Sequence, residues 1–383
     1  MSEKISIKEL LEGVEVEWKP LGEVANYEQP TKYLVKSKNY SNEFKIPVLT
    51  AGKTFILGFT DEITGLYEAS KKPVIIFDDF TTANKWVDFD FKSKSSAMKM
   101  ITSKDESEVL LKYIYYWLNT LPSDLIDGDH KRQWISNFST KLIPIPSLEV
   151  QSEIVRILDN FTELTAELTA ELTSRKKQYE YYETKLLFEN NYEMVPLGQL
   201  CTVNQGLQIP ISDRKTEAGE NRYFYITVQF LKGIDEKYYI ESPSQSVICD
   251  YDDILVTRTG STGKIITGVK GCFHNNFFKV NCFENINKRY MYTVLNSKVM
   301  FGKLLQVASG GTVPDLPHNK FYKINIPLPS LEEQERIVSI LDKFDTLTNS
   351  ISKGLPKEIE LRQKQYEYYR DLLLTFPKKG IEI

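Results

Sequence analysis

The chain repeats itself, and the repeat dictates most of what it can become. Ile143 to Phe161 reads IPIPSLEVQSEIVRILDNF and Ile326 to Phe344 reads IPLPSLEEQERIVSILDKF, matching at 13 of 19 positions with a constant offset of 183. KQYEYY stands at Lys177–Tyr182 and again at Lys364–Tyr369, at an offset of 187. A shorter echo, Pro20-Leu21-Gly22 and Pro196-Leu197-Gly198, is spaced by 176. Three matches in the same order mean two versions of one structural plan. The 383 residues divide into two units of about 183, preceded by a lead of roughly 17.

Each copy opens with a globular part. Short β-branched and aromatic runs such as Pro73–Phe77, Tyr223–Val228, Asp253–Thr257 and Phe277–Val280 alternate with turns and predict strands. Glu108–Asn119 and Arg289–Val307 are the helical candidates. Each copy then closes with a long helix, which Ser147 or Ser330 can cap ahead of acidic residues in the first turn. In the first helix the apolar seam runs through Ile154, Ile157, Phe161, Leu164, Leu168 and Leu172, then Tyr179, Tyr182 and Leu186. In the second it runs through Ile337, Ile340, Phe344, Leu347 and Ile351, then Tyr366, Tyr369 and Leu373. Spacings of three and four mark helices that want a partner helix. Leu148 to Phe188 spans 41 residues, about 60 Å of continuous helix and longer than one small domain can cover, so the two helices are expected to pair antiparallel. Gly354 and Pro356 are expected to interrupt the second. Thr162–Thr173 reads TELT-AELT-AELT, and each tetrapeptide adds about 6 Å of helix, which suits a length-setting spacer.

The fold expected is α+β: two mixed α/β globular domains separated by two long helices forming an antiparallel coiled coil. Domain bounds follow at 1–147 and 191–330, with the long helices over 148–190 and 331–376 and a tail over 377–383.

These residues resemble a specificity subunit of a type I DNA restriction-modification system. The likeness rests on Pro146–Asp159 and Pro329–Asp342, on the two Pro-Leu-Gly openings, and on the Thr-Ala-Glu-Leu tetrapeptides at Thr165–Leu168 and Thr169–Leu172. It covers essentially the whole chain. The resemblance implies two target recognition domains, each reading one half of a split double-stranded DNA sequence, and no catalysis in the subunit itself. It implies two adenine-specific methyltransferase subunits and motor-nuclease restriction subunits as partners, with S-adenosylmethionine, Mg2+ and ATP belonging to those partners alone. It also implies that Thr162–Thr173 sets the gap between half-sites.

Charge must permit such a role region by region. The total is nearly balanced, 48 Lys plus Arg against 52 Asp plus Glu. Residues 1–147 carry a net −2, residues 190–330 a net +3, and the two helical segments together −5. The acidic excess thus sits mainly on the helices, and any DNA grip needs a locally clustered basic face. In the second domain Arg258, Thr259, Ser261, Thr262 and Lys264 form a loop after a strand, with hydroxyls for phosphate and cations for phosphate or a guanine edge. Arg214, Lys215, His274 and Asn275 are lesser candidates. In the first domain Lys53 and Thr54, and then Thr81, Asn84 and Lys85, offer similar chemistry.

Other function classes fit poorly. An adenine methyltransferase would show an Asn/Asp-Pro-Pro-Tyr/Phe motif, and the chain has no Pro-Pro dipeptide. The loop at Arg258–Lys264 lacks the spacing of a nucleotide P-loop. The histidines His130, His274 and His318 have no metal-ligand spacing, and the cysteines Cys201, Cys249, Cys272 and Cys282 form no C-x-x-C pair. Hydrophobic residues make up 41%, an ordinary globular proportion. No signal peptide or membrane span is read, and a cytoplasmic location is the expectation. The competing function is a non-catalytic scaffold that uses the paired helices to hold two binding domains apart.

Overall fold

The computed structural model describes residues 10–51, 54–122, 132–234, 237–310, 314–350 and 352–377. The chain forms two compact units, one from residues 1–169 and 358–383, the other from residues 170–357.

The first unit contains strands β1 (Glu17–Pro20), β2 (Ala25–Glu28), β3 (Ile46–Leu49), β4 (Ile56–Thr60), β5 (Val74–Asp78), β6 (Asn84–Val87), β7 (Lys92–Ser93), β8 (Met98–Ser103) and β9 (Leu142–Ile145). They make an antiparallel sheet ordered β2-β8-β5-β6, a three-stranded sheet ordered β4-β3-β7, and a β1-β9 ribbon. Strand β5 explains why an apolar run sits at the centre. Its side chains alternate between faces, and Ile75 and Phe77 join the core beneath helix α1 (Leu111–Leu118) while Val74 and Ile76 join a second cluster with Leu49, Phe91 and Met98. Both faces are buried, so no polar alternation survives.

Helix α2 (Leu148–Phe188) is one unbroken helix of 41 residues, as its seam predicted. The amide of Val150 donates to Ser147 Oγ at its start. The second unit continues with β10 (Glu193–Pro196), β11 (Cys201–Gln205), β12 (Arg222–Ile226), β13 (Tyr239–Glu241), β14 (Ile248–Cys249), β15 (Ile254–Thr257), β16 (Ile265–Ile266), β17 (Gly271–Phe273), β18 (Phe277–Cys282) and β19 (Asn325–Leu328). Its sheets are ordered β11-β18-β15-β16 and β13-β12-β17-β14, with a β10-β19 ribbon. Here too β15 feeds two cores, Ile254 and Val256 into one and Leu255 into the other. The expected single helix over Arg289–Val307 is two, α3 (Lys288–Asn296) and α4 (Lys298–Val307). Ser297 divides them, because its hydroxyl accepts from the Met300 amide and starts a new helix. The candidate over Glu108–Asn119 shortens to α1, since the Glu108 carbonyl and Leu110 amide are both taken by the buried side chain of Gln151.

The second rod runs as α5 (Leu331–Asn349) and α6 (Leu355–Leu374), with the expected break between them. Gly354 closes it at φ +79°, where an added Cβ would fall 2.5 Å from the Thr346 carbonyl oxygen and 2.6 Å from that of Leu347. Only glycine fits so close an approach.

Within each unit a stretch of one rod packs against the other, antiparallel. In the first unit Ile154 and Leu158 of α2 share a core with Leu373 and Leu374 of α6, and Phe161 stacks on Tyr369. In the second unit Leu187 shares a core with Ile337 and Leu341 of α5, and Tyr182 stacks on Phe344. The structure is thus two mixed α/β sheet domains joined by paired long helices.

Candidate nucleic-acid interface

The two units place their loops by the same rules. Strands β2, β8, β5 and β6 of the first unit take the order that β11, β18, β15 and β16 take in the second. In each, a parallel pair stands beside this sheet, β3 with β7 and β12 with β17. The candidate segment Thr81–Lys85 therefore lies in the β5–β6 hairpin, and Arg258–Lys264 in the equivalent β15–β16 hairpin. The backbone confirms the match: Asp79 accepts from the Gln133 amide at 2.9 Å, and Arg258, one residue past the matching strand, accepts from Leu316 at 3.1 Å.

In the first unit the hairpin is built on Asp78, whose carboxylate accepts from the Phe80 amide and the Thr81 hydroxyl. Thr81 and Lys85 are exposed, while Asn84 is half-buried and accepts from Asn119 Nδ2. Thr54 is exposed in the β3–β4 turn, which the Thr50 hydroxyl closes onto its carbonyl. Lys53 lies outside the described residues. Beside the hairpin, Asp79 faces the buried Lys99 ammonium at 3.5 Å, and Lys99 also sits 5.0 Å from the Tyr27 ring centroid.

In the second unit four segments converge at one end of the sheet. The amides of Arg258 and Thr259 donate to the Asn276 carbonyl, the His274 amide donates to Ile226, and Leu207 donates to Phe273. Asn275 Nδ2 donates to Gln208 Oε1 at 3.2 Å. Gly206 is required where these chains cross, because a Cβ there would lie 2.2 Å from the His274 carbonyl oxygen. Arg214 spans the Tyr225 and Tyr238 rings at 5.1 and 5.5 Å and donates to the Ile209 carbonyl. Burial, then the Arg214 charge, holds His274 below the ordinary histidine range. Its Nδ1 accepts from the Asn276 amide.

So the structure brings Arg214, Arg258, Thr259, His274 and Asn275 together. It leaves Lys215 in an isolated bridge to Tyr239. Thr262 is buried and donates to the Pro314 carbonyl, Ser261 is half-buried, and Lys264 is exposed at the hairpin's far side. Gln205, Gln208 and Asn276 join the site without having been singled out. Their only sequence signal is a short polar run at a strand end.

The rod candidates are distributed between the units. Ile154 and Leu373 are fully buried in the first core, where Ile157, Tyr366 and Tyr369 pack against it. Ile337 is buried in the second, with Tyr179 and Leu186 against it. Leu164, Leu168, Leu172, Ile340 and Leu347 are half-buried, and Ile351 lies outside the described residues. The seam reading passed over Gln151 and Gln334, which are fully buried. Gln334 donates to the Pro329 carbonyl at 2.9 Å and accepts from the Asn287 amide at 2.7 Å, as Gln151 donates to Pro146 and accepts from Leu110. The signal was present: one polar residue kept identical inside a buried stripe. Tyr113 and Tyr290 add a matching bond to Pro144 and Pro327, and Lys112 and Arg289 pair with Asp159 and Asp342.

The type I restriction modification DNA specificity domain family matches residues 13–175 and again 189–361. The chain belongs to that family. It is 53% identical to the EcoR124I/EcoR124II specificity subunit of Escherichia coli, over 99% of this chain and 98% of that one. It is 29% identical to the EcoprrI specificity subunit of Escherichia coli, over 92% and 93% of the two chains. In fold it is similar to the crystal structure of a type I restriction-modification S subunit from M. genitalium, at a TM-score of 0.60 and 18% identity over 96% of this chain and 98% of that one. The specificity subunit recognises a DNA sequence and positions the methyltransferase and restriction subunits; it is not itself a catalyst. Among the described residues no group of histidine, cysteine and carboxylate side chains is placed to hold a metal. No described helix is long and apolar enough to cross a membrane.

Proposed function

We propose that each unit reads one half of a bipartite duplex target through the equivalent sheet end, with the Asp78–Asn84 and Thr257–Lys264 hairpins at its centre. The observation that carries this is the shared sheet order, which puts two segments of unrelated sequence at one topological position. A surface that varies while its supports repeat is what two different half-sites require. Thr54, Thr81, Asn84 and Lys85 serve the first half-site. Arg214, Lys215, Arg258, Thr259, Ser261, Thr262, Lys264, His274 and Asn275 serve the second, some by contact and others by holding the contact loops. Lys53 is assigned to the first group on sequence alone.

The functional domains are taken as 1–147 and 191–330, with rods over 148–190 and 331–376 and a tail over 377–383. The rods carry the two methyltransferase subunits, with the restriction subunits joining the larger complex in the cytoplasm. S-adenosylmethionine, Mg2+ and ATP belong to those partners.

The test is selection from randomised duplex DNA by the complex with its methyltransferase partner. Thr81→Ala with Lys85→Ala is expected to relax the first half-site alone, and Ser261→Ala with Lys264→Ala to weaken the second alone. Changes spread over both half-sites, or none in either, would remove the hairpin assignment.

A further inference from the structure

We infer that Arg258, held side-on by Asp315, reads a guanine in the half-site recognised by the second unit. The inference rests on the DNA-reading role proposed above and names one contact within it.

The geometry is that of a preset fork. Arg258 Nε donates to Asp315 Oδ1 at 2.6 Å and Nη2 to Oδ2 at 3.1 Å. A carboxylate that occupies the Nε side of a guanidinium leaves the Nη1–Nη2 end open, and that end matches guanine O6 and N7 in the major groove. The side chain is still 37% exposed and that of Asp315 32%, which places the pair at the surface. Both partners are held from behind. The Arg258 amide donates to Asn276 and its carbonyl accepts from Leu316, while Ser309 and Asp315 exchange both their backbone bonds. Thr262 Oγ1 pins the hairpin to Pro314. An exposed ion pair adds little to stability. A rigid fork instead lowers the ordering cost of binding. At the equivalent position the first unit carries Asp79, turned inward to Lys99. The residue at this place differs in charge between units, as a residue that selects different bases would.

The experiment is selection from randomised duplex DNA by the complex with its methyltransferase partner, comparing the wild type with R258A, R258K, D315N and K264A. Melting curves confirm that each variant is folded. R258A and R258K are expected to lose preference for one guanine of the second half-site by roughly tenfold or more, leaving the first half-site and the gap unchanged. D315N is expected to lose part of the same preference. K264A is expected to weaken enrichment of the second half-site as a whole, with a shallower salt dependence, while keeping the preference for that guanine. A wild-type second half-site without guanine overturns the inference. So does an unchanged motif for R258A and R258K, or an even loss across sequences, which would make Arg258 a phosphate contact. If the wild type enriches no bipartite motif, the wider hairpin reading falls instead.

Discussion

The ring of Phe161 lies stacked on that of Tyr369, centroids 5.3 Å apart and planes 20° from parallel. Phe344 and Tyr182, their counterparts in the other repeat, stack at 5.7 Å and 28°. Each unit thus holds the phenylalanine of one repeat on the tyrosine of the other. Such stacks add about 1 kcal/mol beyond the area they bury. A double-mutant cycle of F161L and Y369L is expected to return a coupling of about that size, read from chemical denaturation. Additive single effects would mean that the rings merely adjoin.

The buried glutamines are expected to matter more. Gln334→Leu removes the acceptor for the Asn287 amide and the donor to the buried Pro329 carbonyl, leaving both without that partner. A loss of about 3 kcal/mol is expected, with Gln151→Leu close to it. Thermal melting of both variants gives the comparison. A loss below about 1 kcal/mol would mean that the backbone groups find other partners.

A pH effect is expected at Glu183, buried in the second unit. Burial pushes its carboxyl above the ordinary range, against bonds from Tyr179 and the Lys298 amide that favour ionisation. A group raised in the folded state contributes its stability below its unfolded value and loses it as the pH rises through the folded value. Glu183→Gln is therefore expected to raise the melting temperature at neutral pH. The difference should close as the pH falls to about 4. A constant difference across that range would exclude titration of Glu183 as the cause.

The break in the second rod is expected to be intolerant of substitution. Phe161 and Tyr182 lie 21 positions apart, whereas Phe344 and Tyr369 lie 25 apart. The four extra residues fall where α5 stops and α6 begins. Gly354→Ala forces a Cβ against two carbonyl oxygens at a positive φ and is expected to cost at least about 1 kcal/mol. A melting curve matching the wild type would show that the turn relaxes.

Deleting Thr169–Leu172 is expected to change the preferred gap between half-sites while leaving both half-sites intact, as measured by selection with the partner complex. An unchanged gap would count against the spacer role.

Much of this was legible in the chain. The rod over Leu148–Phe188, its serine cap and the interruption at Gly354 follow from periodicity and from the two residues that helices tolerate least. Strands such as Val74–Asp78 show as apolar runs because both their faces are buried. The kinship of α1 and α3 did not show. Lys112–Leu118 matches Arg289–Leu295 at an offset of 177, against 183 for the rod motif. The segments between these helices and the exit strands differ in length by six residues, which hides the match from a search at one fixed period. Nor could the sequence reveal that Arg258 faces Asp315 across 57 positions. That pairing depends on how β15 is set beside the chain leading to α5.

The ribbons have a consequence of their own. Glu17–Pro20 pairs with Leu142–Ile145, and Glu193–Pro196 with Asn325–Leu328, so each recognition domain begins and ends on adjacent strands. The chain between them is a closed excursion whose two ends are already joined. Its contents can vary without moving the helix that follows so long as the residues bonded to that helix, Glu108 and Leu110 in the first domain and Asn287 in the second, stay in place. A subunit assembled in this way carries each recognition domain as a cassette between fixed clasps.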